Sequence, residues 1–346
     1  MSEQRGFVRT FVRDGVGSLM ATSSLLILAG CVAMVLALTG EFLPHDLAYV
    51  GMSADQLCGI ADCHIVHFML HDRMAFGGAV FGIGVLYGYL TLFPLRRGEA
   101  WAWWLLLISG VLGFSSFLGY LSFGYLDTWH AAITVLLLPL FVIGLAMAWR
   151  TLDRPRSFTD VVRPTCVPNL HTRAGIGRVV LLLGAAGTFV AGFEIFRIGL
   201  METFVPADLT FIGVSAEHLE HVNDRLVPLI AHDRAGFGAA VVIQGLLSFG
   251  CLWSSSTAAE VSKTEVPKTE VPKTEVPKVL WWAILLAGAV SLGAAIGTHF
   301  IVGYIDLWHL APPAAAAVSL VIGLTLSYPV SRQSTGSSVP RVSTRD

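Results

Sequence analysis

Charge is what this chain has least of. Lysine, arginine, aspartate and glutamate make up only 13% of its 346 residues, where a soluble domain carries roughly 25%. That scarcity excludes an ordinary soluble globule. The few charges nearly cancel, to a net −2 at pH 7, which offers no basic surface for a nucleic-acid partner. Cysteine is scarce too: five residues are too few to staple a fold of this size. Basic residues are missing altogether between Glu41 and His64.

Hydrophobic residues fill the space left by charge, at 54%. They gather into runs at roughly 18–40, 66–94, 101–123, 129–149, 177–201, 227–253, 280–302 and 308–329, each near the ~20 residues that cross a bilayer. The expected fold is therefore an all-α integral membrane protein of eight transmembrane helices. The first run is not a cleaved leader, because a repeat described below requires it. Of the 22 basic residues, 18 fall before span 1, after spans 2, 4 and 6, or after span 8. Basic residues collect on the cytoplasmic side, so both termini are expected in the cytoplasm, with the membrane read as a bacterial inner membrane.

The chain is written twice. Phe42-Leu-Pro-His-Asp-Leu-Ala-Tyr-Val-Gly51 returns as Phe204-Val-Pro-Ala-Asp-Leu-Thr-Phe-Ile-Gly213, and His71-Asp-Arg-Met-Ala-Phe-Gly77 returns as His232-Asp-Arg-Ala-Gly-Phe-Gly238. Gly124-Tyr-Leu-Asp-Thr-Trp-His130 returns as Gly303-Tyr-Ile-Asp-Leu-Trp-His309. Each half holds four spans, an even number, so the halves insert the same way up: two parallel-repeat four-helix bundles. Residues 1–150 form the first repeat, 151–176 a cytoplasmic linker, 177–330 the second repeat, and 331–346 a cytoplasmic tail. A cytoplasmic insert at 254–279 contains the triplicated Thr-Glu-Val-Pro-Lys of 264–278, whose proline and charge suit a solvated linker. It is expected to be dispensable.

All three repeated motifs fall on the outer side. Within a half, His71 and His130 (or His232 and His309) approach from spans 2 and 4 at similar depth. Asp127 and His130 share a helical face, as do Asp306 and His309. Two imidazoles with carboxylates suit zinc, copper or iron, and two imidazoles alone can hold a haem. His71, His130, His232 and His309 are thus candidate cofactor ligands. Asp72, Arg73, Asp127, Asp233, Arg234 and Asp306 are candidate functional charges beside them. The alternative is a structural clamp, with Arg73 on Asp127 and Arg234 on Asp306, tying helices together.

The first half adds His64 and His67, which with His71 lie on one helical face; with His130 they form a candidate metal set. Cys58 and Cys63 face an oxidising compartment, where a loop disulfide is favoured over a metal pair. The second half adds Glu194 and Arg197 within span 5, where the first has Val32 and Val35. Ionisable groups inside a span are functional candidates.

The architecture is similar to haem A synthase: eight spans, two halves, histidines on helices 2, 4, 6 and 8, and a cysteine pair in the first outer loop. That family places a glutamate ahead of a His-Arg pair, whereas here Asp72 separates His71 from Arg73. The repeat as a whole resembles uncharacterised bacterial membrane proteins, some of them encoded beside or fused to flavin enzymes of the dihydroorotate dehydrogenase type. That resemblance implies a quinone-facing redox role with a flavin-dependent partner. Three expectations stand together: a redox or metal (or haem) protein of the membrane; a transporter or channel for a cation or acidic solute; and a membrane anchor with structural histidines. Matching proline- or glycine-broken helices, which would favour a transporter, are missing: Pro312 and Pro313 stand opposite Ile133 and Thr134.

Overall fold

The structure is a computed structural model that describes residues 14–120, 128–152, 158–159, 168–255 and 276–328, with all their side chains except those of 117–120 and 128–130. Asp127, the His130 side chain, most of the 264–278 insert and the 331–346 tail lie outside the described residues. Every regular element among the described residues is a helix.

The long helices are α1 (Val16–Thr39), α4 (His64–Leu92), α5 (Ala100–Tyr120), α6 (Thr128–Ala148), α7 (Arg173–Met201), α10 (Leu226–Ser254), α11 (Lys278–Val302) and α12 (Leu307–Leu326). Short helices α2 (Pro44–Val50) and α3 (Ala54–Cys58) join α1 to α4, and α8 (Pro206–Ile212) and α9 (Ala216–Val222) join α7 to α10. Seven helices are long and apolar enough to cross a membrane, and the chain is an integral membrane protein in a lipid environment. The remaining one, α5, is apolar but fully described only to Ser116, short of a span.

Two helices form the centre. In α4 and α10, 61% and 72% of the spanning window is buried inside the protein, against 11–28% in the other spanning helices. The rest form a wall whose outward side chains, such as Leu28, Val135, Leu183 and Val321, are exposed, as lipid contact requires. Helix α1 lies along α4, and α7 lies along α10. The next long helices cross over: α5 packs on α10, and α11 on α4. Helices α6 and α12 rest on α1 and α7. The two halves therefore interleave in one bundle.

Lipid offers no hydrophobic drive for helices to associate, so close backbone approach does that work. The repeated motif supplies it through its last glycine. A Cβ at Gly77 would stand 2.9 Å from the Gly30 carbonyl oxygen of α1, and one at Gly238 would stand 2.3 Å from the Phe196 nitrogen of α7. At the opposite end, buried Arg178 at the start of α7 donates to the carbonyls of Leu252 (2.9 Å) and Ser255 (2.6 Å) at the end of α10. Cations suit that position, since the last helical carbonyls have no helical partner.

The repeated Pro-x-Asp blocks start α2 and α8. Proline at the first turn forgoes an amide that would be unpaired anyway. The aspartate three residues past the N-cap folds back, so that Asp46 accepts from the Leu43 amide (3.3 Å) and Asp208 from the Val205 amide (2.7 Å). Gly51 and Gly213 end these helices at φ 71° and 81°. The loops then cover the motif end of the bundle with an apolar cluster including Phe42, Leu57, Phe68, Phe204, Leu219 and Tyr304. Cys58 and Cys63 are joined in a disulfide.

Candidate functional site: a buried histidine cluster

Under that cover the two His-Asp-Arg motifs meet, because α4 and α10 are the central pair. Each arginine takes one aspartate from its own half and one from the other. Arg73 binds Asp46 (2.8 Å) and Asp233 (2.7 Å); Arg234 binds Asp208 and Asp72, the latter at 3.2 Å. Arg234 also stacks over Phe68, 4.7 Å from the ring centroid. The sequence-based pairing of Arg234 with Asp306 is thus replaced by a reciprocal pairing across the halves, while Asp127, the expected partner of Arg73, lies outside the described residues. Asp306 instead caps α12, accepting from the His309 amide at 2.8 Å. The reason is geometric: Arg234 on α10 faces the central partner helix α4, whereas the Asp306 carboxylate is turned to the first amides of α12.

Beside this lattice lie three imidazoles. His71 of α4, His299 of α11 and His309 of α12 place one ligand atom each within 4.8 Å of one another. Their outer nitrogens are held by oxygens. His71 Nδ1 is 3.0 Å from Asp72 Oδ1, and His299 Nδ1 is 2.8 Å from the Tyr304 carbonyl. His309 Nδ1 is 3.2 Å from the Tyr304 hydroxyl, which itself donates to Asp208 Oδ1 at 2.7 Å. Burial, then the neighbouring Asp208 carboxylate, push the Tyr304 phenol above its ordinary pKa, so it keeps its proton.

These partners assign the tautomers. A carboxylate and a carbonyl accept only, so the Nδ1 atoms of His71 and His299 carry the protons. The Tyr304 hydroxyl spends its own proton on Asp208 and accepts from His309. In neutral rings the Nε2 atoms are then bare lone pairs, and those of His71 and His299 stand 2.9 Å apart. Two lone pairs at that distance repel unless a proton, shared as an N–H···N hydrogen bond, or a metal ion lies between them.

The cluster forms one end of a cavity of about 400 Å³ lined by α4, α7, α10, α11 and α12. Its walls are mostly apolar, with Gln244 and Ser291 joined by a 2.8 Å hydrogen bond part-way along. No family model, curated relative or solved structure matches this chain. The reading of the site rests on geometry.

His71, Asp72, Arg73, Asp233, Arg234 and His309 come together, together with Asp46 and Asp208 of the Pro-x-Asp blocks. His232 hydrogen-bonds to Asp233 (3.2 Å), and His309 packs on His71 of the other half, at 5.5 Å between ring centroids. His64 and His67 share the face of His71 but not its cluster: His64 packs against Phe211 at 5.0 Å, since the first turn of α4 meets the loop cover. The proposed metal set of His64, His67, His71 and His130 therefore keeps only His71 in the cluster, and the His130 side chain lies outside the described residues. Glu194 and Arg197 pair on the exposed wall at 2.6 Å, with Glu202 completing the group; Glu194 reaches the cavity lining but not the histidines.

His299 and Tyr304 are the residues sequence reasoning missed. His299 aligns with Tyr120 at the spacing of the last repeated motif, so duplication gave it no mark. Its available signal was a lone imidazole inside an apolar span.

Proposed function

We propose that this protein is a membrane-embedded metalloprotein in which His71, His299 and His309 hold one divalent transition-metal ion. The observation that supports this is the approach of one ring nitrogen from each of His71, His299 and His309 to within 4.8 Å, with the Nε2 atoms of His71 and His299 facing each other, while every Nδ1 is held by an oxygen. That is the arrangement in which outer partners orient ligating histidines and raise their basicity. Around a tetrahedral ion with bonds of about 2.0–2.1 Å, ligand nitrogens lie about 3.3 Å apart, within the spread of this cluster. Imidazole ligands suit zinc, copper, iron or nickel; copper or iron would give the redox role that the motifs suggested. Charge agrees. Among the described residues the lattice sets Asp46, Asp72, Asp208 and Asp233 against Arg73 and Arg234, an excess of two negative charges that one divalent ion offsets.

Haem fits less well. Axial imidazoles need their Nε2 atoms about 4 Å apart, twice a metal–nitrogen bond of about 2 Å, with a porphyrin-wide slot between. His71 and His299 are in direct contact at 2.9 Å. We further read the chain as eight spans in two parallel repeats with exchanged third helices. The histidines then lie near the outer face of a bacterial inner membrane, consistent with the basic residues on the other side. The Arg–Asp lattice gives the same motif a structural role beside the site, as the anchor reading expects.

Metal analysis of purified protein incubated with Zn²⁺, Cu²⁺, Co²⁺ or Fe²⁺ tests the proposal. About one ion per chain is expected in the wild type, and none in His299→Ala or His309→Ala with helicity retained. A wild type that takes up no stoichiometric ion, or variants that bind as well as it does, would refute it. A Soret band would move the reading to haem.

A further inference from the structure

Helix α12 contains Pro312 and Pro313 in the turn after His309, both lining the cavity. Proline has no amide hydrogen, so the helical ladder leaves the carbonyls of Trp308 and His309 without their usual donors. Hydrogen-bond acceptors are thereby available next to the histidines. An ion held by three imidazoles also keeps one position open in four-coordinate geometry. Both features ask for the same thing, a small oxygen group that can ligate and donate.

The cavity extends far from that end. Its lining on α10 runs from Arg234 to Leu252, about 27 Å at roughly 1.5 Å per residue, close to the ~30 Å hydrocarbon thickness of a bilayer. A volume of about 400 Å³ drawn out over that length is narrow, with room for one chain and not two. Small residues on α7 and α11, among them Gly184, Gly187, Ala191 and Gly288, leave the space. The loop cover closes the motif end, where Phe42, Phe204 and Tyr304 are buried. The side is open instead. Trp308, which lines the cavity, is 83% exposed, and the Glu194 side chain 54%, so the cavity opens toward the lipid beside Trp308 and Glu194, near the motif-side ends of α12 and α7.

We propose that this cavity binds one single-chain lipid with an uncharged oxygen head. It would enter sideways from the bilayer, its oxygen at the open position of the ion and its chain along α7, α10, α11 and α12. An uncharged head follows from the electrostatics: with a divalent ion bound, the lattice and the ion already balance, and a carboxylate would bring back a buried negative charge. This inference rests on the metal reading above and adds the class of molecule that the site takes.

The test uses full-length protein in lipid nanodiscs loaded with Co²⁺, whose visible spectrum reports its ligands. Hexadecanol should shift that spectrum saturably; hexadecanoate and ethanol should bind about tenfold or more weakly. Gly187→Phe plugs the cavity at a position where an added Cβ meets no atom within 4 Å. It should weaken hexadecanol about tenfold or more and leave Co²⁺ affinity unchanged. Equal binding by hexadecanoate, no spectral shift, or no effect of Gly187→Phe would overturn the lipid proposal while the metal reading stands. Failure of Co²⁺ to bind would overturn the metal reading, and the head placement with it. A metal-free readout separates the two: quenching of Trp308 fluorescence by a brominated long-chain alcohol, with Trp308→Phe as the reference. Quenching lost in Gly187→Phe keeps the chain site; quenching indifferent to that change removes it.

Discussion

Replacing Arg73 by methionine tests whether the Arg–Asp lattice joins the two halves. Arg73 gives Nε to Asp233 at 2.7 Å and Nη1 to Asp46 at 2.8 Å, with only 17% of its side chain exposed and 9% or less of either carboxylate. Methionine keeps most of the volume and removes both charge-assisted bonds, worth about 1.5–3 kcal/mol each. It also strands two buried carboxylates, so the loss should approach the about 3–5 kcal/mol of a broken buried pair. Against a typical stability of about 5–15 kcal/mol that is a large fraction. Arg73→Lys should fall between, because one ammonium cannot present a planar fork to two carboxylates. Adding Asp233→Leu to Arg73→Met should recover part of the loss, since Asp46 retains its bond to the Leu43 amide. The assay is unfolding by sodium dodecyl sulfate in mixed micelles, followed by circular dichroism. Arg197→Met, on the exposed wall, is the control and should cause no measurable change. If Arg73→Met proves no more damaging than Arg197→Met, or if the double variant is merely the sum of the single ones, the lattice does not couple the halves.

Tyr304→Phe removes both the acceptor for His309 Nδ1 and the donor to Asp208; metal affinity measured by competition with a chelator should fall roughly 10–100-fold, with the bundle still folded. Gly77→Leu should displace α1, because even a Cβ there stands 2.8 Å from Met34 and 2.9 Å from the Gly30 carbonyl; a fall in unfolding midpoint is expected, whereas Gly187→Ala should leave it unchanged. Thiol alkylation of the denatured chain, mapped by peptide mass, should spare Cys58 and Cys63 before reduction and modify both after it, with Cys31 and Cys251 modified in either state; modification of Cys58 and Cys63 before reduction would contradict their bond.

Whatever depends on local composition and period was legible in the chain alone. Apolar runs of spanning length became helices, because a chain in lipid must satisfy its backbone hydrogen bonds within each segment. Pro44 and Pro206, with Asp46 and Asp208 two residues on, start short helices that are legible without any partner, since proline, capping carboxylate and amide are neighbours in the chain. The duplication marked His71, Arg73, His232 and Arg234 as residues that matter. It did not say whom they meet. Helical period states which side chains share a face, not which faces are opposed, and helices that are apolar all round, as α4 and α10 are, carry no amphipathic stripe to point inward. That Arg73 takes Asp233 from the other half follows from helix packing, because α4 and α10 sit together at the centre. Only the crossing of α11 onto α4 brought His299, unmarked by any repeat, within 2.9 Å of His71. A lone imidazole in an apolar run carries no pattern of its own, and its chemistry came from helices more than two hundred residues apart in the chain.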